Sequence, residues 1–372
     1  MIGYCMWMQN TITFTLFTLC LLAGCHHEEP SVSDQDPLDG LYLSTSSQSQ
    51  ARAEAVLPAQ GSEDVSHLLG TITIPNATAR DEERDNYLPE EATDWIVDVQ
   101  FPEGNEFEVK RLAQLFDKSF REEHGGLTLY GKDAKTGFWT YLISADGPTS
   151  VTGLKISWDY YSAWNDDAEV ATAQKYQARL QAIESVLQAN SIKAVVQPNR
   201  TTEDAAARTL FLSNLPEQVD RTVVFAVVAP EGKPFEGRKI WDVMLCLGLT
   251  WGDMDCFHWI NPTGIGDDYY FSVETSTPPG YFLPEEIAMG RVHTQDLVFL
   301  FSLPRTAAPS VVAARMRKAV EYVQSRLGGE IVYMIDDEQY EFDSAIQEIG
   351  GIEAELTEHG FPPGSDAALR FF

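Results

Sequence analysis

The sequence predicts an α+β protein in which one folding unit occurs twice. Residues 95–99 alternate apolar and polar side chains as a half-buried strand does, and residues 224–228 also have the composition of a strand. Pro-Glu-Gly follows both strands, at 102–104 and, 128 residues further on, at 230–232 (230 against 102). An amphipathic helix is predicted after each of these turns. This repeated order predicts two copies of one α+β unit.

The later elements keep the same order in both halves. Further strands are predicted at 127–130, 138–143 and 154–158 in the first half, and around 252–258, 271–273 and 297–303 in the second. Each half then has a long amphipathic helix, near 176–187 and 312–327, followed by a strand at 192–196 or 331–335 and a short helix near 203–212 or 342–349. The predicted domains are therefore 94–213 and 222–355, with a tail at 356–372.

The charge balance is strongly acidic. The chain has 372 residues with 56 Asp and Glu against 26 Lys and Arg, a net charge of -30. Because such a surface repels phosphate groups, nucleic acid is not an expected partner. Of five cysteines, Cys246 and Cys256 alone lie in the predicted domains, so two separate structural thiols are expected rather than a disulfide framework.

The N-terminal residues predict attachment to a membrane. An apolar run at 12–23 has the length of a signal-peptide core, and Leu22-Ala23-Gly24-Cys25 resembles a bacterial lipobox. That resemblance implies cleavage before Cys25, acylation of its thiol and a location facing the periplasm. No Lys or Arg precedes Arg52, so an uncleaved anchor with the domains in the cytoplasm stays open as the alternative. Residues 26–93 are rich in Ser, Gln, Asp and Glu and predict a disordered tether, about 45 Å from end to end.

Candidate residues for catalysis or metal binding are few. His258 and His293 lie near Asp253 and Asp255 in the sequence, but strand alternation would put His258 and the two aspartates on opposite faces. No G-x-S-x-G, P-loop or G-x-G-x-x-G sequence occurs. The sequence therefore predicts no catalytic residue, no metal site and no cofactor, and we expect a protein that is not an enzyme.

Several short motifs of the second half occur in a characteristic order and spacing: Gly252-Asp253-Met254, His258, Phe271-Ser272, Pro279-Gly280, Phe282, Thr294, the strand ending at Pro304, Ala319, Gly328-Gly329 and Asp336-Asp337. With these motifs, the segment of about 222–350 resembles the C-terminal domain of the membrane-anchored bacterial division protein ZipA. Residues 94–213 resemble it as a degenerate copy. The resemblance implies an antiparallel sheet of about six strands around a split β-α-β unit, with helices on one face.

The resemblance also implies a function. In ZipA the other face of the sheet is apolar and binds the C-terminal tail of the tubulin-like protein FtsZ. The corresponding residues here are Val224, Met254, Glu274, Ser276, Pro278, Val298 and Leu300. Glu274, Ser276 and Pro278 stand where the family has a small apolar residue, a Met and a Lys. The expected function is peptide binding in cell division, and the alternative is an extracytoplasmic lipoprotein that uses the fold for a structural or ligand-binding role.

Overall fold

Two antiparallel β-sheets packed against helices make up the fold, which confirms the predicted α+β class. The computed structural model of the chain describes residues 46–60, 63–74, 87–145, 147–161 and 171–372. The predicted anchor at 1–25, with Cys25, lies outside these described residues. Within them, no helix combines the length and the apolar character needed to span a membrane.

Residues 46–57 and 63–74, ahead of the first sheet, are folded, although the sequence predicted a tether there. Helix α1 (Ser46–Val56) precedes a single 3-10 turn at Ser66–Leu68. Trp251 N donates to Gln50 Oε1 at 2.8 Å, and Val65 N donates to the Cys246 carbonyl at 2.9 Å. Five apolar side chains of this segment are buried: Ala53, Leu57, Val65, Leu69 and Ile72. The predicted tether over 26–93 is therefore wrong for 46–57 and 63–74, because these few apolar residues find partners in the second half of the chain.

The first sheet has six strands. Its strands are β1 (Asp94–Gln100), β2 (Phe107–Glu108), β3 (Thr128–Asp133), β4 (Trp139–Tyr141), β5 (Ser150–Asp159) and β6 (Val195–Pro198). Its helices are α2 (Val109–Leu115), α3 (Lys118–His124), α4 (Ala173–Ala189), α5 (Thr202–Asn214) and α6 (Pro216–Val219). Along the sheet the order is β4-β3-β5-β1-β6, with β2 paired to the start of β5.

The second sheet has seven strands in the order β15-β14-β7-β13-β11-β10-β9. The strands of this half are β7 (Thr222–Val228), β8 (Phe235–Glu236), β9 (Thr250–Trp251), β10 (Phe257–Ile260), β11 (Tyr269–Glu274), β12 (His293–Thr294), β13 (Asp296–Ser302), β14 (Glu330–Ile335) and β15 (Glu338–Tyr340). Strands β8 and β12 form a separate pair. The helices are α7 (Gly237–Cys246), α8 (Pro284–Ala288), α9 (Pro309–Leu327), α10 (Phe342–Glu358) and α11 (Asp366–Phe371).

The two sheets have the same connectivity at their centres. Strands β13 and β14 both run antiparallel to β7, which lies between them, and α9 joins them as a split β-α-β unit. Strands β5 and β6 flank β1 in the same way, with α4 between them in the chain. Strands β1 and β7 begin at 94 and 222, β2 and β8 at 107 and 235, and α2 and α7 at 109 and 237, so each pair differs by 128 residues.

Several helices begin where a side chain satisfies a free backbone N–H. The Thr201 hydroxyl accepts a hydrogen bond from Asp204 N at 3.1 Å at the start of α5, and the Ser365 hydroxyl accepts one from Ala368 N at 3.2 Å at the start of α11. Pro309 occupies the first turn of α9, where its missing N–H costs nothing. The sequence therefore encodes these helix starts locally.

Alternate residues of the second sheet supply the apolar layer beneath the helices. Leu297 and Phe299 on β13 and Phe225 on β7 are fully buried. They belong to one apolar cluster with Val312 and Met316 of α9, which packs over β7. Because strand side chains alternate, the neighbouring residues of these strands must point to the opposite face of the sheet.

The last residues of the chain are packed between the two halves. Leu356, Phe361, Phe371 and Phe372 are buried, so residues 356–372, predicted as a tail, belong to the folded structure. Arg370 on α11 forms ion pairs with Asp94 at 2.8 Å and Asp159 at 2.7 Å. Burial raises the pKa of Asp94 to about 7, although the positive charge of Arg370 acts in the opposite direction.

Replacing Arg370 by Met tests this contact. At pH 8 the substitution leaves the buried Asp94 carboxylate without its cation, and we expect it to lower the free energy of unfolding by about 2 kcal/mol. That figure is below the cost for a fully buried pair because Arg370 is 36% exposed. Since the folded pKa of Asp94 lies above its ordinary value of 3.8, the carboxyl is largely protonated at pH 5 and the loss should be smaller there.

Urea unfolding at pH 5 and pH 8 measures both differences. Arg291→Met is the matched control, because the Arg291–Glu286 pair is exposed and should contribute less than about 0.5 kcal/mol at either pH. Equal losses for Arg370→Met at the two pH values would contradict the assignment.

Candidate binding face

The face of the second sheet that points away from the helices is largely aliphatic. It is formed by alternate residues of four strands, and we call it the open face: Val224, Ala226, Ser272, Glu274, Val298, Leu300, Val332 and Met334. None of these residues belongs to the apolar cluster under the helices, and all but Ala226 retain solvent exposure. An apolar sheet face that its own fold leaves uncovered is a recurrent binding surface for peptides.

Strand pairing brings four of the predicted binding residues together. Leu300 on β13 pairs with Val224 on one side, and Val298 pairs with Glu274 on the other. Directly paired residues have their Cβ atoms about 5 Å apart, so these side chains form one continuous patch. The structure thus brings Val224, Glu274, Val298 and Leu300 onto one face, while their role in binding stays a prediction.

Met254 lies in a turn, whereas the sequence predicted a strand through 252–258. Residues Asp253–Asp255 form a 3-10 turn between β9 and β10, which Gly252 N closes by donating to the Cys256 carbonyl at 3.0 Å. Met254 adopts a left-handed backbone with φ 53° and its side chain is 79% exposed. The strand prediction is wrong here because the turn has no periodicity that a sequence pattern reveals. Met254 is nonetheless an exposed apolar side chain beside β10.

His258 holds this turn in position from within the sheet. Its ring lies between Ser272 Oγ, 2.8 Å from Nδ1, and the Asp253 carbonyl, 2.8 Å from Nε2. Because a carbonyl can only accept, neutral His258 donates from Nε2 and accepts the Ser272 hydroxyl proton at Nδ1. The ring also stacks on Tyr269 with 4.0 Å between centroids. Burial lowers the pKa of His258 below its ordinary value of 6.5.

The other candidates for chemistry are not assembled into a site. His293 lies on β12, in a different sheet from His258. Cys246 and Cys256 are buried free thiols, which confirms the prediction of two separate cysteines. Across the described ranges, no group of three or more His, Cys, Asp or Glu residues could hold a metal ion.

Ser276 and Pro278 lie in the turn after β11, at one corner of the open face. The Asp296 carboxylate accepts hydrogen bonds from Ser276 N at 2.8 Å and from Thr275 Oγ1 at 2.9 Å, and a further short one from Ser276 Oγ. Pro278 is exposed in the same turn. Asp296 therefore fixes this corner, and the Ser276 hydroxyl is directed to it.

Glu274 is the single ionisable residue of the open face. Burial beside its neighbours raises the pKa of its carboxyl, and the negative charge of Asp296 raises it further.

Next to the open face, a depression of about 340 Å³ is lined by residues that include Asp267, Tyr269 and Ser302. Asp267 is held there by Arg305, with 2.6 and 3.0 Å between their paired atoms.

On the first sheet, the residues at the same register positions are mostly buried. Strand pairing gives the counterparts of Val224, Leu300, Val298 and Glu274 as Ile96, Ser157, Lys155 and Tyr130. We call these four residues the closed face, because Ile96, Ser157 and Tyr130 are only 5%, 2% and 2% exposed. Lys155 forms an ion pair with Asp98 at 2.8 Å. Sequence patterns missed this difference, since contacts such as those of Arg370 with Asp94 and Asp159 join residues far apart in the chain.

Replacing His258 by Gln tests its role in the turn. We expect a loss of about 1–2 kcal/mol in the free energy of unfolding at pH 7.5, because Gln cannot keep both hydrogen bonds of the buried ring. Since the folded pKa lies below 6.5, the stability that neutral His258 contributes is present above pH 6.5 and is lost as the pH falls through the folded pKa. The gap between wild type and variant should therefore narrow at pH 5 in urea unfolding. Exposed His293→Gln is the control, and a gap that widens at pH 5 would contradict the assignment.

Comparison with known proteins shows a family to which the second half of the chain is similar. A family model described as the ZipA C-terminal FtsZ-binding domain matches residues 221–349. The cell division protein ZipA of Shewanella loihica is 31% identical over 110 residues, which are 30% of this chain and 32% of that protein. ZipA of Marinobacter nauticus is 30% identical over 138 residues, 35% of this chain and 40% of the relative.

A longer but weaker match extends into the first half. ZipA of Pasteurella multocida is 23% identical over 203 residues, 54% of this chain and 61% of the relative. The chain thus spans about a third to three fifths of the length of these relatives. The split β-α-β unit and the uncovered aliphatic face lie within the matched segment. Residues 221–349 therefore resemble the C-terminal domain of the cell division protein ZipA.

Proposed function

We propose that this chain is a non-enzymatic binding protein of bacterial cell division, and that its open face takes the C-terminal tail of FtsZ. The observation that carries the proposal is the aliphatic patch of Val224, Val298 and Leu300, which strand pairing makes continuous in the segment that matches an FtsZ-binding domain. Exposed Met254 lies beside β10 and extends the apolar surface. Apolar contacts of this kind suit binding better than catalysis.

The small area of the aliphatic patch limits how tightly it can bind a peptide. A short peptide over three or four aliphatic side chains buries far less than the ~1,600 Å² of a standard protein–protein interface. Peptide ordering and lost translational freedom offset much of the gain. We therefore expect a dissociation constant in about the micromolar range. Weak binding of this kind becomes effective when many copies of the protein are held on one surface, because the local concentration of binding sites is then high. Attachment to a membrane would provide such a surface.

Within this proposal, residues 94–213 are a diverged copy of the second domain. The supporting observations are the constant offset of 128 residues between element starts and the common order of the five central strands. The copy's closed face has Lys155 paired with Asp98, where the open face has Val298 beside Ala226. We infer that the first copy no longer binds a peptide at this face and instead supports the second copy.

Variants of the open face test peptide binding. Leu300→Asp should weaken binding of an FtsZ C-terminal peptide at least about tenfold, because it puts a carboxylate into the apolar patch. Met254→Lys should weaken it by about two- to fivefold without unfolding the protein, since the side chain is 79% exposed. Isothermal titration calorimetry on the whole chain measures both effects.

Two matched controls locate the effect. Val311→Asp changes an exposed aliphatic residue on α9, away from the open face, and Gln197→Asp changes the exposed residue of the first sheet that pairs with Asp98. Both should bind like wild type. Wild-type affinity in Leu300→Asp, with an unchanged melting temperature, would end the proposal.

The side of the membrane decides whether FtsZ can be the partner. The second candidate function, a cell-envelope lipoprotein acylated at Cys25, is favoured by the lipobox-like sequence Leu22-Ala23-Gly24-Cys25. In that case the domains face away from the cytoplasm, and the open face serves a peptide of the cell envelope. An uncleaved anchor would instead leave the domains beside FtsZ.

Mass spectrometry of the mature protein tests lipidation. The second candidate function requires an N-terminal Cys25 carrying acyl chains, and Cys25→Ser should then remove the acyl mass and release the protein from membranes. A reporter fused after Phe372, assayed on both sides of the membrane, gives the topology. A reporter that is active only in the cytoplasm, with residues 1–24 retained, would contradict lipidation and keep FtsZ as the partner.

A further inference from the structure

Glu274 lies at the end of β11, between β13 on one side and the residues that precede β10 on the other. It pairs with Val298, and its charge acts on the thiol of Cys256, which directly precedes β10. Burial raises the pKa of that thiol to about 12, with the negative charge of Glu274 contributing. Val298 in turn pairs with Ala226. The paired residues beside the carboxylate are therefore uncharged, and the side-chain charges that act in this area, those of Asp253, Asp255 and Asp296, are negative.

No described residue neutralises this carboxylate. Among the residues that the structure describes, none forms a hydrogen bond or an ion pair with the Glu274 side chain, and the nearest charge acting on it is the like charge of Asp296. Asp296 is itself occupied by Thr275 and Ser276. Two arginines of this domain pair with other carboxylates, Arg305 with Asp267 and Arg291 with Glu286.

An apolar ligand laid over Glu274 would bury this carboxylate without a partner. Removing water from an unpaired charged group costs far more than burying an aliphatic side chain returns, so such a ligand is disfavoured. A cationic side chain at the same place removes the penalty and adds a charge-assisted hydrogen bond. Specificity then depends on the rejected ligands as much as on the accepted one.

We propose that the peptide bound at the open face carries a Lys or Arg side chain, between apolar anchor residues, that pairs with Glu274. The inference rests on the proposed function, since it requires the open face to bind a peptide. It adds the chemistry of that peptide: apolar side chains over Val224, Val298 and Leu300, and one cation at the end of β11. The strongly acidic chain, with a net charge of -30, favours approach of such a basic peptide.

A display selection tests the inference without assuming the partner's identity. A random peptide library is selected on wild type and on Glu274→Gln, which keeps the shape of the side chain and removes its charge. Peptides whose binding is lost in Leu300→Asp are retained as ligands of the open face. Wild-type ligands should share one Lys or Arg flanked by apolar residues, and ligands of Glu274→Gln should lack that preference.

Affinity measurements then test the pairing of Glu274 with the basic residue of the peptide. Changing the shared basic residue of the best peptide to Gln should weaken binding to wild type by about 5- to 20-fold, between the values for an exposed and a buried ion pair. The same change should leave binding to Glu274→Gln within about twofold, which a double-mutant cycle makes explicit. Glu274→Lys should select peptides with Asp or Glu at that position.

The outcomes separate the two proposals. Ligands that depend on Leu300 but carry no shared basic residue would overturn the inference and leave the proposed function standing. A basic residue whose loss weakens wild type and Glu274→Gln equally would also overturn it. No ligand that depends on Leu300 would overturn the proposed function, and the inference with it.

Discussion

The alternation of side chains along β13 is the constraint on which the second domain depends. This strand pairs with β7 through all seven of its residues and with β11 on its other side, so its orientation is shared by its neighbours. Burying Leu297 and Phe299 under the helices forces Val298 and Leu300 onto the opposite face. A shift of one residue would exchange the two faces, so the core and the open face are specified together.

The two sheets have the same connectivity at their centres, but the residues on their outer faces differ. In both, a split β-α-β unit surrounds a central strand, β1 or β7. On the second sheet the uncovered face stays aliphatic around a single carboxylate. On the first, Lys155 and Asp98 neutralise each other, and the ring of Trp139 lies 5.1 Å from the Lys155 ammonium. The two faces thus differ although the order of the central strands is the same, because core packing constrains only the residues beneath the helices.

Local signals account for much of what could be predicted. Strand alternation, helix periodicity and the Pro-Glu-Gly turns at 102–104 and 230–232 predicted the α+β class and the order of elements. The resemblance then named Val224, Glu274, Val298 and Leu300, which strand pairing brings to one face. Met254 was predicted on a strand and lies in a turn, because its left-handed backbone depends on the contact between Gly252 and Cys256. The predicted tether was wrong in part for a related reason, since the described residues 46–60 and 63–74 make contacts with residues far along the chain, such as Gln50 with Trp251.

By itself, the sequence determined the class of fold, the acidic charge and the alternation that separates core from surface on each strand, because these follow from neighbours along the chain. Only the tertiary structure decided which of the two equivalent faces is open. Arg370 reaches Asp94 and Asp159 across more than two hundred residues of chain and covers the end of the first sheet. The tertiary structure also decided that, within the described part of the chain, no cationic side chain pairs with Glu274. Whether a side chain has a partner depends on the whole surface around it.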